Sequence, residues 1–291
     1  MTSIVDLSCF SYLAAARLLT VDRYPAADTG AEVHDALQSL AGDGPITAIT
    51  AASQGLRVAL SGNDVGEDAV GLDLLAQLER YGVRHRISAR PGTVTPNLTV
   101  ITDRTGTRTW FAHLSSATAD LLDADMSLLA PARLAYIDCY EIITDAAVQA
   151  LEHVTRSDGP IMLNLGGDPI HPAIQKAAVG TNLLAVQTSL PDNQVNAAER
   201  AADSVYEQLR PQITLVTLGR HGVLARTETG FHHEPACTGP IAHTHGAGAA
   251  FSAGFAVAHL AGSDIKDCLI HACRTGTEHC SPEPSPLSLP H

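Results

Sequence analysis

The sequence predicts an α/β fold of three layers, with a mostly parallel central sheet covered by helices on both faces and a small β-sheet standing off it. Three observations predict this. Apolar residues make up 45% of the 291 positions but aromatic residues only 4%, so the core is built from Ala, Val, Leu and Ile in sheet and helix layers rather than from stacked rings. Short β-type runs alternate with amphipathic helical patterns along most of the chain, the signature of parallel strands joined by helices. One segment breaks the alternation with a Thr/Val-rich hairpin pattern.

Taken in order, "RVALSGNDVGEDAVGLDLLAQLERYGV" (57–83) reads as a short strand, a glycine-rich turn and a helix whose apolar positions are Val70, Leu74, Leu75 and Leu78. "GTVTPNLTVITDRTGTRTWFAHL" (92–114) alternates Thr and Val around the turn "DRTG", which predicts a hairpin in the small sheet. Strand followed by helix then recurs: "LAYIDCY" before "TDAAVQALEHV", "PIMLNLGG" before "PAIQKAAV", and "NLLAVQTS" before "NAAERAADSVYEQL". The last twelve residues, "CSPEPSPLSLPH", are proline-rich and read as irregular. The length fits a single domain over 1–291.

Composition excludes several classes of function. The net charge of −13 and the absence of any basic run argue against nucleic acid or an anionic membrane as partner. The start "MTSIVDLSCF" lacks the basic and apolar regions of a secretory signal, which predicts a cytoplasmic protein. Cys9, Cys139, Cys237, Cys268, Cys273 and Cys280 form no CxxC pair and read as reduced thiols; the C-terminal set with His271 and His279 fits no common zinc spacing. No metal site is expected.

Ligands in such sheets bind outside the carboxyl ends of the strands, so the loops there carry the chemistry. In "HTHGAGAAFSAGF" (243–255), Gly246, Ala247 and Gly248 precede an apolar helix, leaving backbone N–H groups and the helix dipole free for an anion. In "LVTLGRHGVLAR", Gly219 and Gly222 make either a tight hairpin or a close approach to a flat ligand, with Thr217 just before. Asn164, in "LNLGGDP", is placed either to bond a ligand or to cap a turn. His232 and His233, with His243 and His245, offer a second way to read the histidines, as a loop metal site, for which only Glu234 supplies a carboxylate.

Together these segments resemble the ribokinase-like, or pfkB, family of sugar and nucleoside kinases over most of the chain. "SGNDVGEDAVGLDLLAQLERYGV", containing Asn63, looks like the family's glycine-rich turn and helix, "TDRTGTRT" like its lid hairpin, "VTLGRHGVL" like the strand and turn beside the nucleotide, and "HTHGAGAAFSAGF" like its second signature. Gly42, Asp43 and Gly44 stand at the first, substrate-side glycine motif. The resemblance implies a ribokinase-like fold with a lid made of roughly 10–36 and 88–115, transfer of the γ-phosphoryl group of ATP to a hydroxymethyl group with magnesium, and a homodimer through the lid.

Departures from the family pattern are concentrated where the chemistry belongs. The signature's two aspartates are replaced by His243 and Ala249, the latter at the position of the base that takes the substrate proton. The asparagine and glutamate that organise magnesium and phosphate fall at Gln187 and Leu190, and the substrate-gripping aspartate and asparagine at Ala16 and Ile46. The expectation is a divergent member that binds a nucleoside, nucleotide or sugar phosphate with ordinary kinase activity lost or strongly reduced. The alternatives are a working kinase with His245, or His243, as substitute base, and a ligand sensor without turnover. Only Lys176 and Lys266 are lysines among the 18 basic residues, which, with the abundant alanine, hints at a GC-rich genome and a role in specialised metabolism.

Overall fold

The computed structural model describes residues 5–104, 108–129, 132–281 and 287–289. In chain order, β1 (Val5–Phe10) enters the main sheet and β2 (Ala14–Val21) and β3 (Val33–Ala41) leave it. The chain returns through α1 (Asp43–Ser53), β4 (Val58–Ser61), β5 (Val65–Gly66), α2 (Ala69–Arg80), β6 (Arg84–His85) and β7 (Ala89–Arg90). The hairpin β8 (Asn97–Thr102) and β9 (Arg108–His113) follows, then α3 (Ser115–Asp120). Strand and helix then alternate through β10 (Ala132–Asp138), α4 (Thr144–Thr155), β11 (Ile161–Asn164), α5 (Pro172–Ala177), β12 (Leu183–Ser189), α6 (Ala198–Leu209) and β13 (Ile213–Thr217). The chain closes with β14 (Val223–Thr227), β15 (Gly230–Glu234), α7 (Ala247–Leu260) and α8 (Ile265–His279).

Nine strands form the main sheet in the order β15-β14-β13-β12-β11-β10-β1-β4-β6, parallel except for β14 and β15 at one edge. One apolar layer packs α1, α2, α7 and α8 on the sheet through residues such as Ile46, Leu74, Phe255 and Leu269; the other packs α4 and α5, with part of α6, through Leu151, Ile174 and Val205. The helix α7 is apolar on all sides because it is enclosed on all sides. Gly254 makes this possible: a Cβ there would stand 2.6 Å from the Thr275 hydroxyl of α8.

A four-stranded sheet, β3-β2-β8-β9, stands beside the main sheet, antiparallel except between β2 and β8. Its first two strands span 14–41, so β3 runs beyond residue 36 to the start of α1. The expected turn of the hairpin includes residues 105 and 106, which lie outside the described residues. Asp68 caps α2 by accepting from Gly71 N at 2.8 Å and also takes the Thr95 hydroxyl at 2.8 Å, which pins the approach to β8.

The C-terminal segment is less irregular than its prolines suggest. Ser288 bridges Ser39 of β3, with Leu40 N donating to Leu287 O at 3.0 Å and Leu289 N to Gln38 O at 3.1 Å. Leu287 and Leu289 are buried in the main core. Burial of alternate leucines decides the conformation here; residues 282–286 and 290–291 of the expected irregular tail lie outside the described residues.

Candidate functional site

The strands diverge between β1 and β10: β4 and β6 lie to one side, β10 to β15 to the other. A crevice at the carboxyl ends of strands is expected at such a switch point. Helix α1 starts directly over it. Gly42 has φ +102°, and a Cβ would meet Tyr12 O at 2.0 Å; at Gly44 a Cβ would meet the Ser11 side chain at 2.5 Å. Both glycines let the first turn of α1, which carries the half-buried Asp43, sit against the end of β1.

The second wall is the loop into α7. Gly246 has φ +74°, and a Cβ would stand 2.9 Å from His279 Nε2 and 3.0 Å from Ile46 Cδ1, so α8 and α1 both press on it. The Thr47 hydroxyl donates to Ala249 O at 3.0 Å, joining the two helices. Ala247 N reaches Thr244 O at 3.4 Å, whereas the amides of Gly248 and Ala249 have no acceptor among the described residues. Two unpaired amides at the start of a 14-residue helix are suited to holding an anion. The Ala249 side chain is fully buried and supplies no proton acceptor beside them.

The histidines are turned away from those amides. His245 Nε2 bonds to the carbonyl of Leu40, at the base of β3, at 3.0 Å, and His279 Nε2 to the carbonyl of His245 at 2.9 Å. The ring of His243 meets that of His279 edge-on, with centroids 5.6 Å apart. Burial pushes His245 and His279 each down to about 4, and it also lowers His243. These rings are therefore neutral at pH 7. An imidazole so depressed is a poor proton acceptor, and the His245 ring ties the loop to β3. His233 is bonded to His221 O and His232 to the Thr227 hydroxyl, at 3.1 and 3.3 Å. No group of three His, Cys, Asp or Glu side chains able to hold a metal occurs among the described residues.

Around the start of α1 and the ends of β10 and β11 the structure assembles a polar network that sequence reasoning found only in part. Asp43 Oδ2 accepts from the Tyr140 hydroxyl at 2.5 Å and from Asn164 Nδ2 at 3.1 Å. Asp138, at the end of β10, is fully buried; its Oδ1 accepts from Tyr136 and Asn164, both at 2.8 Å, and its Oδ2 from Gly44 N at 2.8 Å. Asn164 Nδ2 also faces the Tyr136 and Tyr140 hydroxyls at 2.9 Å, so two amide hydrogens are shared among four oxygens. Burial, then the neighbouring charge of Asp43, pushes Asp138 up to about 7. Burial likewise raises Tyr12, Tyr136 and Tyr140, keeping them as hydrogen-bond donors. Asp138, Tyr136 and Tyr140 were overlooked, and the signal was a carboxylate ending the apolar run "LAYID" at a strand's carboxyl end.

Other sequence candidates have different surroundings. Asn63 is buried and clamps the backbone of Leu13, accepting from its N–H at 2.8 Å and donating to its carbonyl at 3.0 Å, so its amide is already engaged. Ala16 lies in the small apolar cluster under the second sheet, and Ile46 in the main core. Thr217 donates to Thr188 O at 3.3 Å. Gly219 and Gly222 form a tight turn; a Cβ on Gly222, whose φ is +87°, would meet Glu234 O at 2.0 Å, which accounts for that glycine by packing alone.

The positions implied for organising magnesium do not fit that ion. Leu190 packs with Ala198, Val216 and Leu218. Gln187 donates to Gly248 O at 3.2 Å, and its Oε1 lies 2.8 Å from the Ser252 hydroxyl, so its amide braces the first turn of α7. Neither offers a carboxylate to a hard cation.

Comparison with known proteins agrees with this architecture. Residues 6–282 match the model of the pfkB family carbohydrate kinase. The fold is similar to ribokinase from Thermotoga maritima (TM-score 0.73, 18% identity, covering 99% of this chain and 96% of that one). It is similar also to ribokinase from Cryptococcus neoformans var. grubii serotype A in complex with ADP (0.78, 16%, 97% and 95%). A nucleoside kinase from Burkholderia thailandensis in complex with inosine gives 0.76 at 16% identity, covering 96% and 90%. No curated protein matches the chain.

Proposed function

The chain belongs to the pfkB carbohydrate kinase family, and from that premise we propose that it binds a nucleoside, nucleotide or sugar phosphate at the α7 amides, with ordinary ATP-dependent transfer to a hydroxymethyl group lost or strongly reduced. The observation that carries this reading is the pairing of unengaged Gly248 and Ala249 amides with a buried methyl group at Ala249. A positioned base is worth about 10²–10⁴ in rate, or roughly 3–5 kcal/mol of barrier. The positions of Gln187 and Leu190 remove a second contribution, electrostatic organisation of the phosphates, on which phosphoryl transfer mainly depends. His245 does not offset the loss, because its ring is held on Leu40 and stays neutral at pH 7.

Calorimetric titration with inorganic phosphate, AMP, ADP, ATP, ribose 5-phosphate and a set of nucleosides, each with and without magnesium, tests the reading when followed by mass detection of products. The expected result is magnesium-independent binding of a monophosphate and no phosphorylated product from ATP. Magnesium-dependent ATP binding with a phosphorylated product would overturn the loss of transfer, and absence of any phosphate binding would overturn the anion site.

The same reading includes a second copy of the chain packed on the β3-β2-β8-β9 sheet. Trp110 and Phe111 of β9 are 60% and 65% exposed there, and Val33 and Leu37 of β3, at the opposite edge of the same sheet, are exposed as well; large apolar side chains exposed on both edges of one sheet support an association surface. Sedimentation should give twice the 30.5 kDa chain mass, and Trp110→Asp should return the monomer; a wild-type monomer at micromolar concentration would refute it.

A further inference from the structure

The root of β3 is closed off by the chain's own C-terminal residues. β3 is an edge strand of the small sheet and pairs with β2 on one side; the other side of such a strand presents N–H and C=O groups that need partners. Near residue 40 they have them. Leu40 N donates to Leu287 O at 3.0 Å and Leu289 N to Gln38 O at 3.1 Å, one on each side of the antiparallel bridge between Ser39 and Ser288. Leu287 and Leu289 are 1% and 5% exposed and belong to the same apolar cluster as Leu40, Leu74 and Leu78. From α2, Gln77 Nε2 donates to Ser288 O at 2.6 Å. The tail is therefore held by β3 and by α2 together.

The N–H and C=O of one strand residue face the same edge. The Leu40 carbonyl thus points outward beside the tail, where it accepts from His245 Nε2 at 3.0 Å. One residue of β3 joins the C-terminal tail to the loop before α7. The opposite edge strand of the small sheet reaches the same loop, since Arg108 of β9 donates to Thr244 O at 2.7 Å. On its far side the loop is packed tightly: Gly246 lies against His279 of α8 and Ile46 of α1, with no room for a Cβ. The placement of Thr244, His245 and Gly246, and with it the first turn of α7, therefore follows the placement of the small sheet.

We propose that residues 287–289 are a strap that fixes the root of β3 and, through Leu40 and His245, positions the loop 243–246 that opens α7. Lifting the strap from β3 releases both segments together. The coupling holds whatever the α7 amides bind.

Hydrogen–deuterium exchange at pH 7, read peptide by peptide on the full chain and on a chain ending at Pro286, measures the coupling, because amides exchange faster where local opening costs less. Removing the strap takes away the bonds to Leu40, Gln38 and Gln77 and the two buried leucines. Amides of 33–41 and of 243–250 should then exchange about 10-fold faster or more, while those of α4 and α6 stay within about 2-fold of the full chain. Gln77→Ala, which removes the bond from α2 and keeps both leucines, should accelerate the same two segments by about 3-fold. Acceleration of 33–41 without 243–250 overturns the coupling to the loop. No acceleration of either segment overturns the strap, and equal acceleration of α4, α6 and both segments assigns the tail to general core packing and overturns it too. If the shortened chain does not fold, the same outcomes are read on Gln77→Ala.

Discussion

Replacing Asp138 by alanine should lower the unfolding free energy by about 3–5 kcal/mol at pH 6, measured by urea denaturation. The side chain is fully buried and accepts hydrogen bonds from Tyr136, Asn164 and the Gly44 amide. Alanine leaves these donors facing a carboxyl-sized gap, and an unsatisfied buried donor costs about 1–3 kcal/mol. A term of opposite sign grows with pH. Asp138 is pushed up to about 7 by burial and by Asp43, so the folded state holds its proton more tightly than the unfolded chain does. Its contribution to stability is fully present below the ordinary carboxylate range and is lost as pH rises through 7. The wild type should therefore lose about 1–2 kcal/mol from this group between pH 6 and pH 9, and the alanine variant should not. A cost of Asp138→Ala that is no smaller at pH 9 than at pH 6 would show that Asp138 does not titrate in this window.

Acidification acts on the histidines in the other direction, and the double variant His245→Gln/His279→Gln exposes it. Both rings are pushed down to about 4 by burial, so between about pH 6.5 and 4 the unfolded chain takes up protons that the folded chain refuses. Stability from these groups is fully present above the ordinary histidine range and is lost as pH falls toward 4. From pH 7.5 to 4.5 the loss is about 2.5 kcal/mol for each ring, or about 5 kcal/mol for the two. Over the same interval Asp138 contributes a gain of about 3 kcal/mol, leaving the wild type less stable at pH 4.5. Glutamine keeps a donor for the carbonyls of Leu40 and His245 but does not titrate. In the double variant the dependence between pH 7.5 and 4.5 should therefore flatten or reverse, as read from denaturant midpoints across that range. An unchanged acid slope would mean that neither ring titrates with a depressed value.

The layered fold was legible because its determinants are local. The apolar spacing of Val70, Leu74, Leu75 and Leu78 marks α2 within a dozen residues, and "LAYID" and "NLLAVQTS" announce strands without reference to anything distant. The glycine-rich loop into α7 was legible for the same reason, since Gly246 and Gly248 flank a helix start that can be recognised in five residues. The residue at 249 was equally plain: alanine has no proton-accepting group in any fold.

Tertiary structure decided what the polar residues do. Asp138 reaches the Gly44 amide across 94 positions and Asn164 across 26, and Asn164 reaches Asp43 across 121, and no local pattern announces that the ends of β10 and β11 deliver Asp138 and Asn164 beneath the start of α1. The same holds for residues whose type suggested ligand contact. Asn63 reads as a ligand group but closes on the backbone of Leu13, 50 positions away, and His245 reads as a base but is held on Leu40, 205 positions away. Backbone periodicity is repeated along the chain and survives in the sequence, whereas the partner of a buried hydrogen-bonding group, and with it the group's charge state, is set by which strand ends and helix starts the completed sheet brings within about 3 Å of one another.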